Sequence, residues 1–262
     1  MAQAPAEARP LFEAGMLGAG GIFPDYPASN QSHFHALPIP YLIYRGRYLQ
    51  LAPTSARGVF FSTPAVSLDV SASGAFRTSH EDRARAGMPG LDYLGEVGPR
   101  LNLLLAHDAA DAKLDLELAL RAVFSTDFSR LDYRGLVLAP ELADTHSNFM
   151  GSGGQLKVGI GADFASGRLM QYFYTVAPQF AIPGRPAFEA QGGYLGTHLD
   201  VSYRYPLNRR VTVIGFSDAS LYSGASNAAS PLFKRQYGVA AGVAVAFSFF
   251  ESETTTETPA EE

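Results

Sequence analysis

Hydrophobic and polar residues alternate along most of the chain with a period of two. In AKLDLELALRAVF, residues 112–124, leucines, Ala122 and Phe124 occupy one face. The other face carries the charges Lys113, Asp115, Glu117 and Arg121. Alanine, leucine, lysine and glutamate favour helices, but at 100° per residue a helix would scatter both sets around its axis. Since only an extended chain separates them, the pattern predicts a strand.

Further segments repeat this alternation between clusters of Gly, Pro and Asn. They predict about twelve strands that start near residues 11, 36, 47, 57, 66, 93, 112, 131, 155, 191, 210 and 237. An even number of strands is required for a closed antiparallel barrel whose two chain ends lie on one side.

The connections between the predicted strands alternate in length. RG at 45–46, TP at 63–64 and PLN at 206–208 are tight, whereas the segments 23–35, 77–91, 166–190 and 223–236 are long. Membrane barrels have short periplasmic turns on one rim and longer extracellular loops on the other. The alternation therefore predicts this arrangement.

An alternation with a period of two divides each strand into an apolar face and a polar face, but it does not determine which face contacts water. In a soluble sandwich or barrel the apolar face would point inward. Two details favour a lipid-facing apolar side: the polar faces are rich in Gly, Ala and Ser, and aromatic residues lie at strand ends, where interfacial girdles form. These aromatics include Phe124, Tyr203, Tyr205, Phe247 and Phe249. We therefore predict an all-β chain, with a closed antiparallel transmembrane β-barrel over residues 11–250.

Composition limits the other classes. With 47% hydrophobic and 17% charged residues, the chain is too apolar to be disordered as a whole. Scattered basic residues and a net charge of -5 argue against a nucleic-acid partner. The absence of cysteine excludes disulfides, thiol catalysis and cysteine-ligated metals. The uncharged stretch YGVAAGVAVAFSFF has 14 residues, and a membrane-spanning helix needs about 20.

Both chain ends are predicted to be flexible. AQAPAEA, after an added Met1, is typical of the start of a mature secreted protein, so residues 1–10 are expected to be a flexible N-terminus without a signal peptide. ESETTTETPAEE at 251–262 is acidic and non-periodic, which predicts a disordered tail.

Several segments, in order, resemble the MipA/OmpV family of MltA-interacting outer-membrane proteins. They are LPIPYLIYRGRYLQL (37–51), GEVGPRLNLLL (95–105), QYFYTV (171–176), QGGYLGTHLDVSYRY (191–205) and SPLFKRQYGVAAGVAVAF (230–247). The resemblance implies a β-barrel in the outer membrane of a Gram-negative bacterium, without catalytic residues or a cofactor. It also implies a scaffold between a murein hydrolase and a murein synthase, with reported family roles in passage of solutes or antibiotics and in adhesion.

The resemblance also implies partners in the envelope: outer-membrane lipid, lipopolysaccharide and, during biogenesis, the barrel-assembly machinery. That machinery usually reads a terminal aromatic residue. Here the chain continues into the acidic tail, so the signal would be internal, formed by Gly242, Val245, Phe247 and Phe249. The family's acidic first loop corresponds to PDYPASNQS in this chain.

Charges on the polar faces are the candidate functional residues. The predicted lumen-facing set is Glu96, Arg100, Asp115, Glu117, Arg121, Lys157, Asp163, His198, Asp200 and Arg204. A twelve-stranded barrel lies between filled eight-stranded and open sixteen-stranded barrels. These side chains could therefore pair across a plugged lumen or line a narrow, weakly selective pore, and both alternatives remain open.

A lipid hydrolase is the less favoured enzymatic alternative. DTHSN at 144–148 offers His146, Ser147 and Asn148, but neighbouring residues of a strand point to opposite faces, so we predict a turn. His33 and His35 lack a third ligand in what reads as a polar loop, so no metal site is predicted.

Two further segments have alternative interpretations. VGIGADFASG resembles a phosphate-binding loop, but no helix pattern follows it, and its glycines are predicted to relieve crowding inside the barrel. Lys234 and Arg235, beside Phe233, could meet lipopolysaccharide phosphates or remain solvated.

Overall fold

The computed structural model of the chain describes residues 9–45, 49–52, 55–63, 65–75, 82–108, 112–252 and 254–256. The strands are β1 (Arg9–Pro10), β2 (Phe12–Pro24), β3 (Ser32–Arg45), β4 (Leu49–Ala52), β5 (Ser55–Ser62), β6 (Val66–Ala75), β7 (Tyr93–His107), β8 (Ala112–Thr126), β9 (Leu131–His146), β10 (Gln155–Ala165), β11 (Gly193–Pro206), β12 (Val211–Leu221), β13 (Tyr237–Glu251) and β14 (Thr255–Thr256). Helical segments are α1 (Gly167–Tyr174) and 3-10 turns at Arg83–Arg85, Phe149–Gly151 and Pro178–Phe180.

Strands β2 to β13 form one antiparallel sheet curved into a barrel. Each strand pairs with the next one along the chain, and β13 pairs with β2, so the hydrogen-bonded order returns to its start. The described pairing of β4 with β3 covers two positions, Tyr44 with Leu51 and Arg45 with Gln50. The predicted all-β, antiparallel fold is confirmed, and strands β2 to β13 begin within four residues of the predicted starts.

The leucine-rich faces point outward. Leu120 is 45% exposed, whereas the flanking Ala119 and Val123 on the other face are 2% and 0% exposed. In β9, likewise, Leu136, Leu138 and Leu142 are exposed while alternate residues are buried. A water-soluble barrel would have the opposite arrangement, so the outer surface is built to contact lipid.

Connections of different length lie at opposite ends of the barrel. Residues 25–31, 82–92, 166–192 and 222–236 lie at one end, which we call the long-loop rim. The connections 147–154 and 207–210 lie at the other end, the short-turn rim. The longest connections, 166–192 and 222–236, lie on the long-loop rim as predicted, but the alternation is not strict, because 147–154 on the short-turn rim has eight residues and 127–130 on the long-loop rim has four. Gly46 and Pro64 of the predicted tight turns lie outside the described residues.

Both ends of the described chain meet at the short-turn rim. β1 pairs with β14 as a separate two-stranded sheet, and the Ser252 N–H donates to the Phe12 carbonyl at 2.8 Å. The Leu11 N–H also donates to the Thr254 carbonyl at 2.8 Å, and the disordered tail over residues 251–262 stays a prediction. Residues 1–8 and 257–262 lie outside the described part of the chain.

Helix α1 was not expected from the sequence. It follows β10 directly and buries Leu169, Met170, Phe173 and Tyr174, so tertiary packing stabilises a helix of only eight residues. Within the described residues, no helix is long and apolar enough to cross a membrane.

Candidate functional site in the barrel lumen

A chain of ion pairs crosses the charged side of the lumen, beginning with Arg100 on β7. Its Nη2 lies 2.9 Å from Oδ2 of Asp69 on β6, and its Nη1 lies 2.9 Å from Oε2 of Glu117 on β8. Nε of Arg100 also donates to Asp69 Oδ1 at 3.0 Å. Asp69 is almost fully buried, so this guanidinium supplies the charge that a buried carboxylate needs.

The chain continues through Lys157 of β10. Its Nζ lies 3.1 Å from Oε1 of Glu117 and 2.9 Å from Oε1 of Glu141 on β9. Farther along, Nδ1 of His198 on β11 lies 3.1 Å from Oδ2 of Asp163. These contacts link strands β8 to β11 through side chains as well as backbone.

Carboxylates outnumber bases around His198. Its Nε2 faces Oε2 of Glu141 at 3.7 Å and Oδ1 of Asp200 at 3.9 Å. Glu141, His198 and Asp200 form the one group of described residues whose ligand atoms lie within 4.8 Å of one another. Because Lys157 already lies beside Glu141 and neutralises its charge, we assign no metal to this group.

Gly159 and Gly161 of β10 make room for these side chains. A Cβ on Gly159 would lie 2.6 Å from Glu141 Oε1 and 2.7 Å from Asp200 Oδ1. A Cβ on Gly161 would lie 2.6 Å from Nε2 of His198. Both glycines belong to a strand, which agrees with the interpretation of VGIGADFASG as relief of crowding. The expectation that no helix follows this segment was wrong, because α1 begins at Gly167.

The remaining predicted lumen residues occupy inward positions around this chain. Glu96 of β7 accepts a hydrogen bond from Nε of Arg121 on β8 at 2.8 Å. Asp115 and Arg204 lie nearer the short-turn rim. The structure thus connects six of the ten predicted residues, Arg100, Glu117, Lys157, Asp163, His198 and Asp200, through Asp69 and Glu141, and it places Glu96 and Arg121 in a separate ion pair.

An apolar cluster lies on the opposite wall of the lumen. Leu17 of β2, Tyr41 of β3 and Ala244 of β13 form a buried cluster, against which Ala19 and Ile214 pack. The interior therefore has a charged side on β6 to β11, and the strands β12, β13, β2 and β3 combine this apolar cluster with polar groups such as Glu13 and Asp218.

Loops of the long-loop rim pack together into a lid, which we define as residues 25–31, 82–92, 166–192 and 222–236. Its centre consists of buried side chains from three of these segments: Tyr26, Leu169, Met170, Tyr174 and Leu232. Hydrogen bonds tie the segments to one another. The Tyr26 hydroxyl donates to the Leu232 carbonyl at 2.8 Å, and the Tyr174 hydroxyl donates to the Pro27 carbonyl at 2.9 Å.

Two buried arginines fasten the lid through backbone carbonyls. Nη1 of Arg185 donates to Ala84 O at 3.0 Å and to Ala86 O at 2.9 Å. Nη1 of Arg85 donates to Phe173 O at 2.8 Å. Burial lowers the pKa of the Arg85 guanidinium.

The lid tyrosines are held in their neutral form. Burial raises the pKa of Tyr26, Tyr172, Tyr174 and Tyr222 above the ordinary value near 10. A phenolate in this environment would be poorly solvated, so the closed lid favours neutral phenols.

A small cavity separates the lid from the ion-pair chain. Its volume is about 100 Å³, and Asp163, His198, Ser220 and Tyr222 contribute to its wall. This space holds roughly three water molecules.

The outer surface carries two aromatic girdles. Near the long-loop rim lie Phe124, Tyr133, Phe164, Tyr194 and Tyr237. Near the short-turn rim lie Tyr203, Tyr205, Phe247 and Phe249. Tyr237 and Phe247 are ten residues apart in β13, which is roughly 34 Å of strand and roughly 26 Å of height at a 40° tilt. That height matches the apolar band of outer-membrane barrels, about 25 Å.

The DTHSN segment ends a strand rather than forming a catalytic relay. Asp144 and His146 lie on the outer face of β9, with Nε2 of His146 2.9 Å from Oδ2 of Asp144. Ser147 and Asn148 begin the following turn. The sequence interpretation missed this outward pair, although spacing by two residues could have revealed it.

The two histidines of the predicted polar loop instead lie on β3. His33 and His35 share the inward side, and Nδ1 of His33 lies 2.6 Å from Oδ1 of Asp25. The loop assignment was wrong, because β3 begins at Ser32 and pairs with β2 there. Neither histidine belongs to a group of three ligand-type residues among those described.

Taken together, an apolar outer face, two aromatic girdles and a charged interior define a β-barrel membrane protein. A model of the family "MltA-interacting protein MipA" matches residues 17–249. The chain therefore belongs to the MipA family, and with its barrel fold it is an outer-membrane β-barrel protein.

Comparisons with solved structures find barrels at low identity. A bacterial polysaccharide outer-membrane secretin is 12% identical, with a TM-score of 0.44 and coverage of 93% of this chain and 100% of that one. The translocator domain of the autotransporter NalP from Neisseria meningitidis is 11% identical, with a TM-score of 0.38 and coverage of 91% and 88%. An active-site mutant of outer membrane phospholipase A from Escherichia coli is 13% identical, with a TM-score of 0.32 and 94% coverage of both chains. Comparison with curated proteins found no matching sequence.

Proposed function

We propose that strands β2 to β13 form the complete, closed, twelve-stranded transmembrane barrel of a Gram-negative outer-membrane protein. The pairing of β13 with β2 and the outward apolar rows support this proposal. In this orientation the short-turn rim faces the periplasm and the long-loop rim faces the exterior. Lipid then surrounds the apolar band between the two aromatic girdles.

In that membrane the protein acts as a non-enzymatic anchor and interaction protein for the murein machinery. The observation that carries this proposal is the interior, where ion pairs run along the wall from β6 to β11 and the lid covers one end. The rims are therefore the surfaces best suited to a macromolecular partner. The family description, which names an interaction with MltA, supports a murein enzyme as that partner.

The short-turn rim is the surface that a periplasmic murein enzyme would reach. It exposes the neighbouring cations Arg209 and Arg210 in the turn between β11 and β12. Crosslinked envelopes should yield murein hydrolases and synthases together with the wild-type protein. Arg209→Glu/Arg210→Glu should lose them, and Arg168→Glu/Arg235→Glu, on the other rim, should retain them. Failure of all three properly inserted proteins to recover a murein enzyme would overturn the scaffold proposal.

A narrow pore is the second candidate, because the lumen wall is polar and its charged side chains remain partly exposed. Glu117 and Lys157 expose 15% and 30% of their side chains. Planar-bilayer recordings discriminate between the two functions. The closed lid predicts no single-channel steps after confirmed insertion, whereas steps altered by Arg100→Ala or Asp200→Ala would establish a pore.

The last barrel strand supplies the proposed assembly signal. Val245, Phe247 and Phe249 lie on the outer face of β13, and Gly242 lies opposite Gly21 of β2. Replacing Phe247 and Phe249 by serine should reduce the amount of inserted protein in cells. Replacing the outward Leu199 of β11 by serine, as a matched control, should reduce it less.

A hydrolase remains testable through the outward Asp144 and His146 pair. The assay measures phospholipid hydrolysis by the purified protein. Hydrolysis that is lost in both His146→Ala and Ser147→Ala would show that the protein is an enzyme and would overturn the proposed anchor function. We expect no such hydrolysis.

A further inference from the structure

Two arginines on the long-loop rim lie over outward-facing tyrosine rings. The guanidinium carbon of Arg168, at the start of α1, lies 5.3 Å from the ring centroid of Tyr133 on β9. That of Arg235, just before β13, lies 5.8 Å from the ring centroid of Tyr237. Both tyrosines are exposed on the outer surface, so each arginine is held at the lipid-facing edge of the rim.

These cations differ from the neighbouring ion-paired arginines. Arg130 lies within 4.0 Å of Asp92, Asp127 and Asp132. Across the described part of the chain, no carboxylate lies within that distance of Arg168, Lys234 or Arg235. Their positive charges are therefore available to an external anion.

The backbone fixes the positions of these charges. The N–H groups of Lys234 and Arg235 donate to the Ala28 carbonyl at 2.9 Å and 3.0 Å. Arg168 belongs to α1, which is anchored by the buried side chains that follow it, Leu169 and Met170. A ligand therefore meets cations that are already placed, which lowers the entropy cost of binding.

The surface below these charges is apolar. The row on β9 descends from Tyr133 through Leu136 and Leu138, and the row on β13 descends from Tyr237 through Val239. Phe164 and Tyr194 form an aromatic contact between the two rows. The arrangement places cations at the height of lipid headgroups and apolar side chains at the height of acyl chains.

We propose that this surface, which we call the basic–aromatic rim, binds a multiply phosphorylated glycolipid of the outer leaflet, lipopolysaccharide. Guanidinium groups bind phosphate through two parallel hydrogen bonds, and the tyrosine faces hold them in place. The proposal rests on the orientation given under Proposed function, because only the outer leaflet meets the long-loop rim. The basic–aromatic rim consists of the cations Arg168, Lys234 and Arg235 above the tyrosines Tyr133, Tyr194 and Tyr237.

Spacing favours a glycolipid with several phosphates over an ordinary phospholipid. The guanidinium of Arg168 lies over Tyr133 of β9 and that of Arg235 over Tyr237 of β13, which are four strand spacings apart, roughly 19–25 Å along the wall. A headgroup with one phosphate reaches one of these arginines at a time. A larger headgroup with several phosphates can bind both, with a gain from multivalency.

The test measures lipid retention by the full-length barrel in nanodiscs of zwitterionic phospholipid. The probes are bisphosphorylated lipid A, its dephosphorylated form and phosphatidylglycerol, counted on the protein by native mass spectrometry. Wild-type protein should prefer bisphosphorylated lipid A. Arg168→Ser and Arg235→Ser should each weaken retention roughly 3- to 10-fold, and the double variant should weaken it more than either.

Arg209→Ser/Arg210→Ser is the matched control, because it removes two exposed cations from the opposite rim. It should retain lipid A like wild type. Equal retention of dephosphorylated lipid A, equal retention of phosphatidylglycerol, or an equal loss in the control would each overturn the proposal. Failure of the wild-type protein to insert into nanodiscs would contradict the proposed membrane function. Insertion without preferential lipid A retention would contradict only the lipid-binding proposal, so the two results are distinguishable.

Discussion

At the scale of single residues, Gly159 links the local sequence to the ion-pair chain. An added methyl group would displace the Glu141 and Asp200 carboxylates, which lie 2.6 to 2.8 Å from the Cβ position. Gly159→Ala should therefore lower the free energy of unfolding by about 1–3 kcal/mol. Gly215→Ala is the matched control, because no atom lies within 4 Å of its added Cβ.

Urea unfolding in lipid vesicles measures this difference. The sequence contains no tryptophan, so tyrosine fluorescence or the electrophoretic shift of the folded barrel provides the signal. The control should be unchanged or stabilised by up to about 1 kcal/mol. A Gly159→Ala variant as stable as the control would show that the carboxylates move without cost.

Arg100 is the residue whose loss should destabilise the lumen most. It contacts Asp69 and Glu117, whose side chains are 1% and 15% exposed. Arg100→Ala should cost about 3–5 kcal/mol, since it leaves buried negative charge without its cation. The same unfolding measurement should show partial recovery in Asp69→Asn/Arg100→Ala. An additive loss in the double variant would contradict the ion-pair explanation.

The alternation of polar and apolar residues predicted which side chains point into the lumen, but it did not predict which of them pair with one another. Inward positions follow from period two, which was enough to select Glu96, Arg100, Glu117 and Lys157. Asp69 obeys the same alternation but was not selected. The contact of Lys157 with Glu141 depends on the register of β10 against β9, which is a tertiary property that one sequence does not encode in its period.

At the scale of elements, the lid depends on Arg185. Its guanidinium bonds carbonyls on two lid segments, Ala84 and Ala86 on one and Phe180 on the other. Arg185→Ala should speed hydrogen exchange of residues 82–90 and 178–188 at least about tenfold, because each hydrogen bond to a charged donor contributes about 1.5–3 kcal/mol. Barrel strands should exchange at the wild-type rate.

Arg83→Ala is the control for the lid. Arg83 lies in segment 82–92, to which Arg185 donates, but it is exposed, and its Nε donates only to Gln31 Oε1 among the contacts described. It should leave exchange in the lid nearly unchanged. Equal acceleration in both variants would mean that the lid responds to any loss of charge.

The lid should also open at high pH. Burial raises the pKa of Tyr174 well above 10 in the folded state, so its contribution to stability is complete below pH 10 and is lost as the pH rises further. Hydrogen exchange of the lid should therefore be constant from pH 7 to 9, after correction for the intrinsic rate, and accelerate above about pH 10. Tyrosinate absorbance should rise over the same pH range as the rate of hydrogen exchange. A lid that stays protected from exchange after these tyrosines ionise would contradict the coupling between tyrosine ionisation and lid opening.

Elements with a clear period were predictable and those without one were not. The strand starts followed from alternation over eight or more residues. Helix α1 spans only GRLMQYFY, begins with glycine, and Ser166 at its N-cap makes no side-chain capping bond, so the local sequence gives little helix signal. Its burial against the loops provides the stabilisation, and that packing involves residues far apart in sequence.

At the scale of the whole molecule, the absence of cysteine makes the orientation directly testable. Ala187 in the lid and Arg209 in the opposite turn are both exposed. A membrane-impermeant maleimide on intact cells should label Ala187→Cys and spare Arg209→Cys. Both should react after the outer membrane is disrupted, and the reverse pattern on intact cells would invert the proposed topology.

The junction between β13 and β2 has a consequence for the folding pathway. It pairs Gly242 with Gly21, residues 221 positions apart, and small residues line both strands: Gly15, Gly18, Ala19, Gly20, Ala241 and Ala244. Contacts so distant in sequence form late because loop closure costs entropy. Until they form, β2 and β13 both expose unsatisfied backbone donors and acceptors, which hydrocarbon cannot solvate. In the proposed closed barrel, entry into the bilayer and closure of this seam must therefore be coupled, and glycine on both sides lets the two edges approach without steric hindrance.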